Sequence, residues 1–176
     1  MSRPADHTSP AIARESREGS GAGRRSAALA RPAAATALVV VLIVQAVSGL
    51  AGGAALIASP RGGVIHMPLS QLEGSPFHDF LIPGVILFVV LGLCPLLTAV
   101  ALLREPAIAP LEALNPFRRQ YWAWTAAGVI GVGLLIWIAV EVAFIPFSAL
   151  QPFYAGVGVV IIALTLRRPV RDYYRR

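Results

Sequence analysis

Lysine is absent from this 176-residue chain, cysteine occurs once, and charged residues make up only 14% of it. Each scarcity excludes something. Without lysine, arginine supplies every basic side chain apart from histidine, so the formal charge of +6 records where the arginines sit. The lone Cys94 cannot form an intramolecular disulfide and gives no basis for redox chemistry. So few charges beside 56% hydrophobic residues exclude an ordinary soluble domain. There is no GxSxG, no P-loop and no dinucleotide fingerprint, and "GVIGVG" lies inside an apolar run where it reads as helix packing. No internal repeat is evident. No groove-reading helix or aromatic platform accompanies the basic ends, which argues against nucleic acid as a partner.

What is present is apolar sequence gathered into runs at 33–58, 80–103, 121–145 and 150–166. A hydrocarbon core of about 30 Å needs about 20 helical residues, so the first three runs are long enough to span it. The fourth makes a helix of about 25 Å, which suffices if Tyr154 sits at one interface and Arg167 and Arg168 anchor the other. Backbone groups away from water must be satisfied internally, and no period-2 alternation supports a barrel. The expected fold is therefore all-α: an integral membrane, antiparallel four-helix bundle over residues 33–166.

Orientation follows from the arginines. Residues 1–32 hold six, the 59–79 loop one, the 104–120 loop three, "PFSA" none, and "RRPVRDYYRR" five. Rich and poor segments alternate, which the positive-inside rule reads as both termini cytoplasmic and the protein as multi-pass in the plasma membrane. Anionic lipid is the natural counterpart of the C-terminal arginines. Residues 1–32, rich in Ser, Ala, Gly, Pro and Arg, cannot bury enough surface to offset their ordering entropy and are expected to be a disordered cytoplasmic tail. Residues 167–176 form a second basic cytoplasmic tail. "GRRSAAL" invites a signal-peptide reading, but the following apolar run is too long for an h-region.

The segment "PLSQLEGSPFHDFLIPGVILF" announces the second helix. Ser75 before Pro76 reads as an N-cap, with Asp79 suited to the positive end of the helix dipole. Pro83 and Pro95 are then expected to kink the helix, each removing one hydrogen bond, and Pro95 frees the carbonyl of Leu91. Gln45 of the first run lies at the same depth and its amide can donate to that carbonyl. Gln45 shares a face with Ser48, Gly49 and Gly52, and Gly49 with Gly53 has GxxxG spacing, so this face is expected to be a packing seam. A substrate-binding amide is the alternative for Gln45.

"MPLSQLEGSPFHDFLIPGVILF", "WIAVEVAFIP" and "LQPFYAGVG" together resemble a widespread group of bacterial, actinobacterial-type four-span proteins known only as hypothetical membrane proteins. The likeness covers residues 35–166. It implies a shared membrane fold and carries over no catalytic residue. The absence of lysine fits a high-GC genome.

Within 121–145, Glu141 is the only charged residue. Helical spacing puts Ala123, Ala127, Leu134 and Trp137 on its face, with Val129, Val132, Leu135 and Ile136 mostly turned away, so it is expected to point inward. His78, Asp79, Gln151 and Tyr154 are candidate polar neighbours. Three readings compete: a tie that joins helix ends, an ion or proton site in a small transporter, and a metal site from His66, His78, Asp79 and Glu141. The last has suitable ligand types but no HxxxH or HxxE spacing, so no metal and no cofactor is expected. The favoured reading is a non-enzymatic membrane or interaction component, surrounded by lipid and paired with itself or with a membrane partner. The alternative is a small ion-coupled module using Glu141.

Overall fold

The structure is a computed structural model that describes residues 31–63, 68–73, 75–144 and 146–176. The expected disordered tail, but for its last two residues, and His66 lie outside the described residues. The compact unit Pro32–Arg176 contains α1 (Ala33–Ala58), a 3-10 turn (Leu69–Leu72), α2 (Leu81–Arg104), α3 (Ala109–Leu114), α4 (Trp122–Phe144), α5 (Leu150–Leu166) and α6 (Arg168–Tyr173). There is no named strand among the described residues, only a single bridge between Gln120 and Arg175. By length and composition α1, α2 and α4 can each cross a membrane, whereas α5, at 17 residues, is a shorter apolar helix.

The helix limits have local causes. Pro32 stands at the N-cap of α1 with φ −57°, already set for a helix, and Pro60 follows the C-cap Ser59. α2 begins at Leu81 and not after Ser75. The Ser75 hydroxyl accepts from the Phe77 N–H at 3.3 Å in a local turn, while Asp79 Oδ1 accepts from the Leu81 N–H at 3.0 Å and so satisfies an orphan donor of the first turn. This start corrects the expected kink at Pro83. The proline falls within the first turn, where its missing N–H has no intrahelical acceptor to lose. α2 ends through Glu105 in the left-handed conformation, φ 48°, with Pro106 after it.

Pro95 acts as expected on the hydrogen-bond ladder, but the helix responds by widening. Residues Val89–Leu93 form a π turn, in which the Cys94 N–H reaches back five residues to the Val89 carbonyl. A wider turn next to the proline accommodates a ring that would otherwise clash with the preceding turn.

Close helix approach depends on small residues. A Cβ on Gly49 would collide with the Leu91 carbonyl oxygen, and one on Gly53 would lie 2.6 Å from the Phe88 nitrogen. From the other side, Cβ atoms on Gly84 and Gly92 would meet Leu56 at 2.7 Å and the Leu50 nitrogen at 2.8 Å. α1 and α2 therefore meet backbone to backbone. Gly52 sits beside this line, facing the Leu87 side chain at 3.3 Å. α4 and α5 pair through Gly131 and Gly158, each facing the other's carbonyl, and α1 also packs on α5 and α2 on α4. Between these contacts the outer faces stay apolar, with Val40, Val44, Val47, Ile82, Leu97, Val129 and Ile136 exposed.

The largest buried cluster lies toward one end of the helices. It joins Ala35, Leu38 and Leu42 of α1, Ala99 and Leu102 of α2, Tyr121 to Ile130 around the start of α4, Ile161 of α5, and Val170 and Tyr174. Residues 167–176, read from sequence as a basic tail, thus contribute α6 and two wholly buried side chains to this core. Beside the arginines, Val170, Tyr173 and Tyr174 recur at helical spacing, which gives this segment an apolar face.

Candidate functional site

The polar groups between the long helices separate into three places. In the middle, the Gln45 amide donates from Nε2 to the Leu91 carbonyl at 3.2 Å. Gln45 is buried and its Oε1 has no partner among the described residues. The acceptor is the carbonyl that Pro95 leaves without its usual donor, so a side chain from α1 takes the place of a lost backbone bond in α2. One turn along α1, the Ser48 hydroxyl hydrogen-bonds the Tyr154 hydroxyl of α5. Gln45 and Ser48 together link α1 to two neighbours. Glycine-permitted contact at Gly49 and Gly53 brings α2 close enough for the amide to reach.

Glu141, half-buried near the end of α4, accepts a hydrogen bond at Oε1 from the Trp137 indole N–H at 2.7 Å. The two lie one turn apart on the same helix. Ala123, Ala127 and Leu134 on the same face are buried while Val129, Val132 and Ile136 are exposed, as helical spacing requires. Trp137 packs against the cluster of Leu91, Leu134 and Ile138, beside Tyr154.

The other candidates for a cluster around Glu141 have partners of their own. Tyr154 is bonded to Ser48. Gln151, buried at the start of α5, accepts from the Ser148 N–H at 3.1 Å through Oε1 and closes the connection after α4. Asp79 is taken up by the Leu81 N–H. His78 and Asp79 line a shallow pocket with Ser59, Pro60 and Arg61. The hydrogen bonds among the described residues therefore do not join Glu141 to His78, Asp79, Gln151 or Tyr154. The described residues also hold no group of three His, Cys, Asp or Glu side chains placed to bind a metal, with His66 outside that set.

The densest polar network is at the opposite end, away from every site residue expected from the sequence. Asn115 is buried and uses its whole amide: Nδ2 donates to the carbonyls of Gln120 at 2.7 Å and Phe117 at 3.2 Å, while Oδ1 accepts from the Phe117 N–H at 3.2 Å and the Thr125 hydroxyl at 2.8 Å. The Tyr121 hydroxyl donates to the Pro106 carbonyl at 3.0 Å, and the Tyr174 hydroxyl donates to the Leu102 carbonyl at 3.1 Å. Leu102 lies in the last turn of α2, whose final carbonyls lack intrahelical donors, and Pro106 lies just beyond the cap Glu105. Trp124 Nε1 donates to the Thr165 carbonyl at 2.8 Å and does the same for the end of α5.

The chain terminus seals this network. The Tyr121 N–H donates to the Tyr174 carbonyl at 2.9 Å and the Arg176 N–H to the Arg119 carbonyl at 3.0 Å. The Arg176 guanidinium stands 4.3 Å from the Tyr121 ring centre and 3.4 Å from Glu112. Burial pushes the Tyr121 phenol above its ordinary pKa, against the pull of the Arg176 charge. The signal in the sequence was the pairing of Asn115 and Tyr121 with two terminal tyrosines, all beside helix ends that need donors.

The chain matches no protein-family model, no curated protein and no solved structure.

Proposed function

We propose that this chain is a multi-pass protein of the bacterial plasma membrane, an antiparallel four-helix bundle with both termini in the cytoplasm. It serves as a non-enzymatic membrane or interaction component. The observation that carries this reading is how the polar side chains between the long helices are used. Gln45 completes the backbone of α2, Ser48 joins Tyr154, and Trp124 completes the backbone of α5. Each bond ties helix to helix. Exposed apolar faces on three span-length helices support a membrane location, and arginines at 104, 118, 119, 167 and 168 support the sidedness. The resemblance to four-span bacterial membrane proteins points the same way.

The experiment uses two sites of similar exposure. Leu114 and Phe147 are 80% and 76% exposed. In a Cys94→Ala background, cysteine at Phe147 is expected to react with an impermeant thiol reagent added to intact cells, and cysteine at Leu114 only after the membrane is opened. The reverse pattern overturns the orientation, and equal labelling of both sites in intact cells overturns the spans.

A second reading, a small ion-coupled module, is favoured by one observation: a half-buried carboxylate within α4 whose oxygen is held by Trp137. Four spans enclose little volume, so that reading requires an oligomer or a site between helices. Ion flux into proteoliposomes that is present in the wild type and absent in Glu141→Gln would establish it.

A further inference from the structure

Between α4 and α5, on the outer face, runs an apolar groove of about 470 Å³. Val132 and Ile136 of α4 and Leu166 of α5 line it, and Phe117 stands at one end. Two glycines open it. A Cβ on Gly133 would meet nothing within 4 Å, and one on Gly128 only the Thr165 methyl at 3.7 Å. At the Phe117 and Leu166 end the chain turns basic: Arg118 follows Phe117, Arg167 follows Leu166, and Arg119 and Arg168 come next, all four exposed. The ion pair found among the described residues, Arg176 with Glu112, uses none of these four.

We infer that this groove holds an acyl chain of an anionic phospholipid, with the lipid phosphate against Arg118 and Arg167. Two properties of the site select this occupant. Its lining is almost wholly apolar along the helices, and the exposed Arg118 and Arg167 directly follow the lining residues Phe117 and Leu166, so that apolar surface and positive charge adjoin as tail and headgroup do in one anionic phospholipid. A second copy of the chain is disfavoured by charge. A symmetric pair in a membrane places equivalent residues at equal depth, so the same arginines of both copies would converge. An anionic headgroup removes that repulsion and a second copy creates it.

The inference rests on the membrane reading, and its test separates the two. The full chain, purified in neutral detergent, is titrated with phosphatidylglycerol and with phosphatidylcholine of the same acyl chains, and retained lipid is read by native mass spectrometry. The wild type is expected to keep one phosphatidylglycerol with a preference of roughly thirtyfold, the order that two arginines facing anionic lipid contribute. The double substitution Arg118→Gln, Arg167→Gln should reduce that preference to about twofold or less. Gly133→Phe should lower retention of both lipids by roughly tenfold by filling the groove, and Gly133→Leu should do so less strongly. Open space at this position and the higher helix propensity of either side chain keep the fold intact, which an unchanged thermal midpoint verifies.

Equal retention of the two lipids by the wild type overturns the headgroup site, and unchanged retention in Gly133→Phe overturns the groove. A dimer that Gly133→Phe disperses while lipid retention stays the same assigns the groove to a second copy. A chain that stays soluble without detergent defeats the membrane reading itself, whereas a detergent-dependent chain without lipid preference defeats only this inference.

Discussion

The two ends of the helices are built differently. At the arginine end, side chains from distant parts of the chain hold the ends of α2 and α5: Tyr174 and Trp124 donate to carbonyls in the last turns of those helices, and Tyr121 donates to the Pro106 carbonyl just beyond α2. At the carboxylate end, the side-chain bonds are local, beside one backbone bond from the Phe80 N–H to the Pro60 carbonyl. Glu141 is held by Trp137 one turn away, Gln151 by Ser148, and Asp79 by Leu81. Long-range bonds resist separation of the helices they join, whereas local bonds shape a single element and survive when its neighbours move. The arginine end is therefore the cooperative one, and the carboxylate end is where helices can splay most easily.

The largest effect is expected from Tyr174→Ala. The side chain is 2% exposed, packs in the main cluster, and carries the hydrogen bond to Leu102. Large-to-small changes of buried aromatics cost about 3–5 kcal/mol, so the apparent thermal midpoint in detergent should fall steeply. Tyr174→Phe, which keeps the packing and gives up the bond, should cost about 1 kcal/mol. If Tyr174→Ala costs no more than Tyr174→Phe, the C-terminal segment is not part of the core and the contrast between the ends collapses.

Asn115→Ala comes next, at about 2–3 kcal/mol. Four hydrogen bonds end at this amide, and its removal strands the Gln120 carbonyl and the Thr125 hydroxyl where water reaches poorly. Protease sensitivity between α2 and α4 should rise along with the loss of stability. A variant that loses stability without gaining cleavage there would mean that Asn115 acts elsewhere than on this loop.

Gln45→Leu sharpens the comparison from the middle of the molecule. It removes the donor to the Leu91 carbonyl but also removes Oε1, a buried acceptor with no partner among the described residues. The gain offsets part of the loss, and a net cost of about 1 kcal/mol is expected. Gln45→Leu combined with Pro95→Ala should cost less than the sum of the two, because alanine restores the N–H that the freed carbonyl lacks. Additive costs in that double-mutant cycle would break the link between the proline and the glutamine.

Much of this could be read before any coordinates. The apolar runs located the four longer helices to within a residue or so, because length and hydropathy are properties of a helix by itself. The Gln45 to Leu91 bond was also legible: Pro95 names the carbonyl that loses its donor, and equal depth names the side chain able to supply one. The π turn was not, since a proline dictates a missing bond without dictating whether the helix bends or widens. The cluster around Glu141 failed for a related reason. Counting residues along a helix sets depth but not which neighbour lies across the gap, and Trp137 at i−4 can be reached without ordering any other element. The arginine-end network lay in connections, where Asn115 and Tyr121 follow no period that marks them as buried.

Glu141→Leu, the smallest expected effect, decides between the two roles of this carboxylate. If it tied helices through His78, Gln151 or Tyr154, leucine would leave several groups unsatisfied at a cost of about 1–3 kcal/mol. Among the described residues Glu141 has one hydrogen-bond partner, the Trp137 indole N–H, on its own helix and near its end. Leucine strands that single donor in a half-buried position while removing a carboxylate from apolar surroundings, and the two changes oppose each other. A shift within about 0.5 kcal/mol of wild type is expected in detergent. Trp137 should be the group that registers the loss, through a changed indole fluorescence maximum. Trp137→Phe should in turn leave Glu141→Leu without further consequence. A cost above about 2 kcal/mol, or one that persists in the Trp137→Phe background, would show that the carboxylate reaches beyond α4 and would restore the helix tie at this end.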